Sequence, residues 1–312
     1  MEERITPHLQ GIIRNDSQAV KIQFEVLDQR EEEILWESDP LGEESHYSPI
    51  KGLVHKFENR VLWKVSYRCA AHCQFCTRSR QIGSSEGDLT DEDISSCLNY
   101  ISSHPEVDDV ILSGGDPLYT PHQTMLIIEG LKHIPTVRVV RIDTRLPVHA
   151  PASMKSRPLV DLMEKVRIAM EEKSLYLLLH VNHSDELVPE TREAIKNLRR
   201  MGIPLLSQSV FLKDVNDNVE ILAALFRELY YLGVIPYYIY RCDYVCGLER
   251  FICDFEKERE IMTQLRIMLS GIAMPTYVVD VPGRGKLPVP LKFWDVPYPD
   301  KCVDFDNNPI NL

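Results

Sequence analysis

Three cysteines, Cys69, Cys73 and Cys76, fall within eight residues as C-x3-C-x2-C in the stretch YRCAAHCQFCTRSR. One loop with three thiolates can wrap a soft metal centre, and thiolate is a ligand that both zinc and iron–sulfur clusters favour. A structural zinc site closes four ligands, often as two C-x2-C pairs, and no second pair follows here. His72 would have to complete it. Three thiolates could instead serve three irons of a [4Fe–4S] cluster, with the fourth iron left without a protein ligand. Cys97, Cys242, Cys246 and Cys253 fall in strand-like or helix-like patterns and read as small buried hydrophobes.

Other residues could do chemistry near such a centre. Lys286 sits in the Gly/Pro loop PGRGK after an apolar strand, where an amine kept partly deprotonated could condense with an aldehyde cofactor. Asp243 and Asp280 end two strand-like segments. Two carboxylates converging on one spot repel unless a cation lies between them, so the pair reads as an ammonium clamp. Gly114 and Gly115, in LSGGDPL, allow close backbone approach to a ligand, and Asp116 could accept a hydrogen bond from an ammonium.

The elements that must position these groups alternate. Strands are predicted at 60–67, 109–113, 137–143, 175–181, 204–211 and 235–242, and helices at 90–103, 121–132, 158–172, 189–201, 216–232 and 255–269. Thr90 with Asp93 three residues on is a capping pattern ahead of the first helix. Six strand–helix repeats make a parallel sheet covered on both faces, either an incomplete barrel or an open doubly wound sheet; the pattern leaves both open. Residues 1–59 lack that rhythm and read as an N-terminal extension, 60–281 as the core, and 282–312 as a C-terminal segment carrying the Lys286 loop.

The 312 residues are 44% hydrophobic with net charge −12, and no basic stripe offers itself to a phosphate backbone. No apolar run of about 18 residues appears, and the N-terminus MEERITPHLQ is charged where a signal peptide needs a hydrophobic stretch. These features predict a cytoplasmic protein with neither nucleic acid nor membrane as partner.

The cysteine spacing followed one strand later by the glycine turn resembles the radical SAM superfamily. The ordered blocks VHKFENRVL, CTRSR, SGGDPL, RIDTRLPVHAP, HVNHSDEL, SQSVFLKDVNDN, PYYIYRCDYVCGLERF and PTYVVDVPGRGK, over roughly residues 50–290, are similar to the lysine 2,3-aminomutase family. The resemblance implies a partial (β/α)6 TIM-type barrel in the α/β class. It also implies three cofactors: a [4Fe–4S] cluster, S-adenosylmethionine (SAM) and pyridoxal 5′-phosphate (PLP). Residue by residue, it puts PLP on Lys286 and its phosphate on Lys56 and Arg60. Arg78 would meet the substrate α-carboxylate, and Asp243 and Asp280 the side-chain ammonium. Arg145, Gln208, His180 and His183, near strand ends, would touch SAM. The implied reaction interconverts L-lysine and β-lysine by 5′-deoxyadenosyl-radical hydrogen abstraction and 1,2-amino migration, fed by a flavodoxin- or ferredoxin-type electron donor. Rival readings are another cationic amino acid such as arginine, a lysyl group destined for a translation factor, a radical enzyme without PLP, and a non-enzymatic zinc or iron–sulfur interaction protein. Association of like copies is left open. The PGRGK loop is shorter than the family's run of glycines and carries Arg284, which puts the reach of Lys286 in question.

Overall fold

The computed structural model describes residues 3–26, 36–169, 171–294, 301–304 and 306–311. Parts of the extension (1–2 and 27–35) and of the C-terminal segment (295–300, 305 and 312) therefore lie outside the described residues. The order is α1 (Pro7–Arg14), α2 (Gln18–Phe24), β1 (Leu53–Phe57), β2 (Arg60–Ser66), α3 (Asp91–Ser102), β3 (Asp109–Gly114), α4 (Pro121–Lys132) and β4 (Val139–Thr144). There follow α5 (Leu146–His149), α6 (Arg157–Ala169), β5 (Ser174–His180), α7 (Pro189–Arg200), β6 (Leu205–Val210), α8 (Val219–Tyr231), β7 (Ile235–Tyr240) and α9 (Phe255–Met268). The chain ends with β8 (Thr276–Val281), β9 (Gly285–Pro288), and the small pair β10 (Lys301–Val303) and β11 (Pro309–Asn311).

Strands β1 to β9 lie side by side in chain order. Pairings from β2 to β8 are all parallel, while β1 and β9 close the two edges as antiparallel partners. A doubly wound sheet reverses its strand order at a switch point. This one never does, so the winding is that of a partial barrel, with six strand–helix repeats before β8.

Local chemistry explains the elements. Thr90 accepts from the Asp93 amide and the Asp93 carboxylate accepts from the Thr90 amide, the reciprocal cap that starts α3 and stabilises it by about 1 kcal/mol. Along β4 burial alternates, with Val140 and Ile142 packed under the helices and Arg141 and Asp143 on the opposite, lumen side. Trp63, Leu112, Ile142, Leu177 and Ile239 are fully buried in one continuous core, and each contributes about 1.5–3 kcal/mol relative to exposure.

The extension is more ordered than its sequence suggests. Helices α1 and α2, of eight and seven residues, are too short for periodicity to show and start on side-chain caps from Thr6 and Ser17. Their Leu9, Ile12, Val20 and Phe24 form a satellite core with Ala71 of the cysteine loop. No helix among the described residues is long and apolar enough to cross a membrane.

Candidate active site

The cysteine loop leaves the C-terminal end of β2 and is tied to the N-terminal segment through its backbone. His72 N donates to Arg4 O (2.9 Å) and Gln74 N to Gln23 O (2.8 Å). Burial pushes all three thiols up, Cys73 to about 11, so they hold their protons until a cationic centre displaces them. Cys73 Sγ accepts from Arg145 Nη1 at 3.0 Å and lies 3.6 Å from His149 Nε2. Among the described residues no three His, Cys, Asp or Glu side chains form a ready-made cage. The donor set nevertheless fits a [4Fe–4S] cluster with one open iron: three thiols on one loop, none in a disulfide. Of the remaining cysteines, Cys97, Cys242 and Cys253 are buried as anticipated, while Cys246, in the same connection after β7 that holds Cys242 and Cys253, is exposed.

The glycine turn makes a close approach within the chain itself. A Cβ on Gly114 (φ +99°) would stand 2.8 Å from Lys64 Cα and Ser66 O, and one on Gly115 would stand 2.4 Å from Arg68 O. The close approach is thus to the chain that feeds the cysteine loop, sealed by Gly115 N donating to Ser66 O at 2.6 Å. Asp116 likewise turns inward. Its Oδ1 accepts from Leu118 N (3.0 Å) and Thr144 Oγ1 (2.8 Å), and its Oδ2 from Arg145 N (2.8 Å), tying the exits of β3 and β4 together. Arg145, assigned from the sequence to a SAM carboxylate, already meets an internal one: Nη2 donates to Glu186 Oε2 (2.8 Å) and Gln23 Oε1 (2.7 Å). His180 packs 5.4 Å from the Phe75 ring, and burial lowers it to about 3, so it is neutral. His183 Nδ1 accepts from Asp185 N and caps a turn.

Lys286 opens into the barrel lumen from a strand, a correction to its placement in a loop. Gly283 (φ +67°) and Gly285 (φ +83°) take left-handed conformations that fold PGRGK into a hairpin, pairing Lys286 of β9 opposite Asp280 of β8. The register of that hairpin fixes where Lys286 reaches. Its Nζ donates to Tyr240 Oη at 2.9 Å beside a cavity of about 170 Å³ that Arg60, Asp143, Gln208 and Tyr238 also line. The lysine side chain keeps contact with solvent along the strand, but crowding around its ammonium lowers its pKa against the opposing pull of Asp280 and Asp143. Gln208 therefore belongs to the lysine cavity. Lys56 and Arg60 part company: Arg60 lies over the Phe57 ring (4.4 Å) at the cavity, whereas Lys56 Nζ is 3.5 Å from Asp280 Oδ1. The reason is charge, since the Asp280 carboxylate is the anion within reach. An amine of lowered basicity, aromatic walls and the Arg60 guanidinium at the cavity suit a phosphorylated aromatic aldehyde.

Burial raises Asp243 to about 7, and the like charge of Asp280 adds to the shift while Lys286 and Arg78 oppose it. The two aspartates thus share one electrostatic site. Arg78 is gripped by Glu43, with Nε to Oε2 and Nη2 to Oε1 both at 2.7 Å. Sequence reasoning missed Glu43, which lies in the polar stretch read as plain extension. It also missed Asp143, His149 and Glu186. Asp143 stood inside the RIDTRLPVHAP block, on the same strand face as Arg141, and that alternation was the available signal.

A one-way partial barrel with three thiols after its first parallel strand and a glycine turn after its second defines the radical SAM class of enzyme. The radical SAM superfamily profile matches residues 63–226. The chain is 40% identical over 253 residues to L-lysine 2,3-aminomutase of Clostridium subterminale, covering 80% of this chain and 59% of that protein. It is 36% identical over 257 residues to L-lysine 2,3-aminomutase of Escherichia coli, covering 82% and 72%. Among solved structures, a radical SAM methyltransferase from Sphaerobacter thermophilus superposes with a TM-score of 0.50 at 15% identity, over 75% of this chain and 69% of that one, a likeness of fold. The chain belongs to the lysine 2,3-aminomutase family of radical SAM enzymes, whose members are isomerases that use a [4Fe–4S] cluster, SAM and PLP. It spans less than two thirds of the clostridial relative.

Proposed function

We propose that this chain interconverts L-lysine and β-lysine in the cytoplasm, with Cys69, Cys73 and Cys76 holding the cluster and Lys286 holding PLP. The observation that carries the reading is the Asp243 and Asp280 pair beside Lys286. The Asp280 carboxylate raises the cost of ionising the buried Asp243, so the pair makes a site for a cation, and a lysine side chain brings one.

When bound, the cluster with SAM supplies a carbon radical that takes and returns hydrogen, and PLP supplies the π system over which nitrogen shifts. The chain's own residues do the rest. Lys286, held less basic by burial, presents a larger share of neutral amine to an aldehyde. Arg60 offers a guanidinium to the phosphate. Asp243 and Asp280 hold the side-chain ammonium while Arg78 faces the carboxylate, which fixes the amino acid at both ends and spends its binding energy on orientation. Tyr238, Tyr240 and Phe57 exclude water from the cavity. Electrons come from an external one-electron donor of the flavodoxin or ferredoxin type.

The test is anaerobic incubation of the reconstituted, reduced protein with SAM and isotopically labelled lysine, with α- and β-lysine separated by chromatography and weighed by mass spectrometry. Labelled β-lysine is the expected product. Rearrangement of arginine with lysine untouched would defeat the assignment of substrate.

A further inference from the structure

Asp143 stands out among the acidic groups of the lumen. It lies on the same face of β4 as Arg141 and lines the cavity that Lys286 enters. Its Oδ1 is buried and has no hydrogen-bond partner. Arg141, two residues away, does not answer it because Asp109 holds that guanidinium through Nε at 3.1 Å and through Nη2. No ion pair within 4.0 Å reaches Asp143 among the described residues, although Lys286, Arg141 and Arg78 all influence it. A buried carboxylate oxygen aimed into a cavity requires a donor from whatever fills that cavity.

The polar groups of pyridoxal phosphate are unequal in this respect. Its phosphate and its phenolic oxygen are acceptors, anionic or nearly so, and a carboxylate repels them. Its aldehyde carbon is taken by the lysine amine. Only the ring nitrogen, when protonated, is a donor. We propose, resting on the pyridoxal phosphate reading above, that Asp143 accepts a hydrogen bond from the protonated ring nitrogen of the cofactor and holds the ring in its pyridinium form. No bond is made or broken: the proton stays on nitrogen and the carboxylate stays ionised. A cationic ring draws electron density more strongly than a neutral one, so Asp143 tunes the cofactor besides orienting it. Burial now pushes the Asp143 carboxyl up to about 6, with Lys286, Arg141 and Arg78 opposing, and a cationic partner would favour its ionised form further.

The experiment loads the full chain, its cluster oxidised, with PLP carrying nitrogen-15 in the ring, and records the ring nitrogen resonance for wild type and Asp143→Asn. Borohydride reduction and mass spectrometry check that the cofactor is attached at Lys286. The expected result is a pyridinium resonance in wild type, displaced to the neutral pyridine position in Asp143→Asn, with the Lys286 adduct formed in both. A neutral nitrogen in wild type overturns the proposal, and that spectrum decides even where the variant folds poorly. A pyridinium signal that persists in Asp143→Asn also overturns it, as does loss of lysine binding with the ring unchanged. Failure to find any adduct at Lys286 is a different result, which removes the cofactor reading and this inference with it.

Discussion

Glu43 holds Arg78 side-on, with both carboxylate oxygens 2.7 Å from guanidinium nitrogens, so a residue of the N-terminal segment caps the arginine that family resemblance assigns to the substrate carboxylate. Both side chains are less than a fifth exposed, which spares the pair most solvent screening. Glu43→Gln removes the competing charge while keeping the shape. The expected outcome is a lower KM for lysine together with a loss of about 1–3 kcal/mol of folding stability, read by kinetics and thermal unfolding. A raised KM would mean that Glu43 positions Arg78 for the substrate instead of competing with it.

Asp243 makes substrate binding depend on pH. Burial and Asp280 raise its folded pKa to about 7, against Lys286 and Arg78, while Glu43 adds a further like charge. An ammonium ligand needs the ionised form, so lysine affinity rises as pH climbs through about 7. Folding stability runs the opposite way. A raised carboxylate contributes stability that is fully present below its unfolded pKa of about 4 and is lost as pH rises through the folded value. Titration calorimetry of lysine against pH, with Asp243→Asn as comparison, checks the sign. The variant should lose the pH dependence near neutrality and weaken binding by about 2 kcal/mol or more.

Which features were legible in the sequence depended on range. Six of the seven parallel strands and their helices were readable because β-branched runs and 3.6-residue periodicity are local signals, and Thr90 with Asp93 announced its own helix. The one-way winding was not local, since strand order is decided by crossovers, and only the family resemblance chose the barrel. Short α1 and α2 hid beneath the periodicity threshold. At the site, residue types were legible but partners were not. Nothing in CTRSR tells that Arg78 meets Glu43 thirty-five residues upstream, and nothing in HKFENR tells that Lys56 answers Asp280 while Arg60 faces the cavity. Long-range charge pairing is settled by the fold.

Gly115→Ala tests whether the glycine turn supports the cysteine loop. The added methyl would stand 2.4 Å from Arg68 O and 2.6 Å from Arg68 N, which are backbone atoms that cannot rotate away. Overpacking of that kind costs about 1–3 kcal/mol and shifts the chain one residue ahead of Cys69. The variant should unfold at lower temperature and retain less iron after reconstitution. Gly11→Ala, on helix α1 with nothing within 4 Å of the new methyl, should be as stable as wild type or more so. Equal iron content in the two variants would refute the supporting role.

Replacement of single cysteines separates a three-thiolate cluster from a structural zinc staple. Cys69, Cys73 and Cys76 share one loop, and burial keeps each thiol protonated in the absence of a compensating cation, so loss of any one leaves too few thiolates to anchor a four-iron cluster. Cys69→Ala, Cys73→Ala and Cys76→Ala should each bring iron per chain and the cluster's visible absorbance down to background. Cys246→Ala, at an exposed position, should change neither. Cys97→Ala removes a fully buried side chain of the core and should lower Tm while leaving iron content intact. A protein that instead takes up one zinc and no iron, and loses it only when His72 is replaced together with a cysteine, would make the loop a staple and remove the ground for radical chemistry.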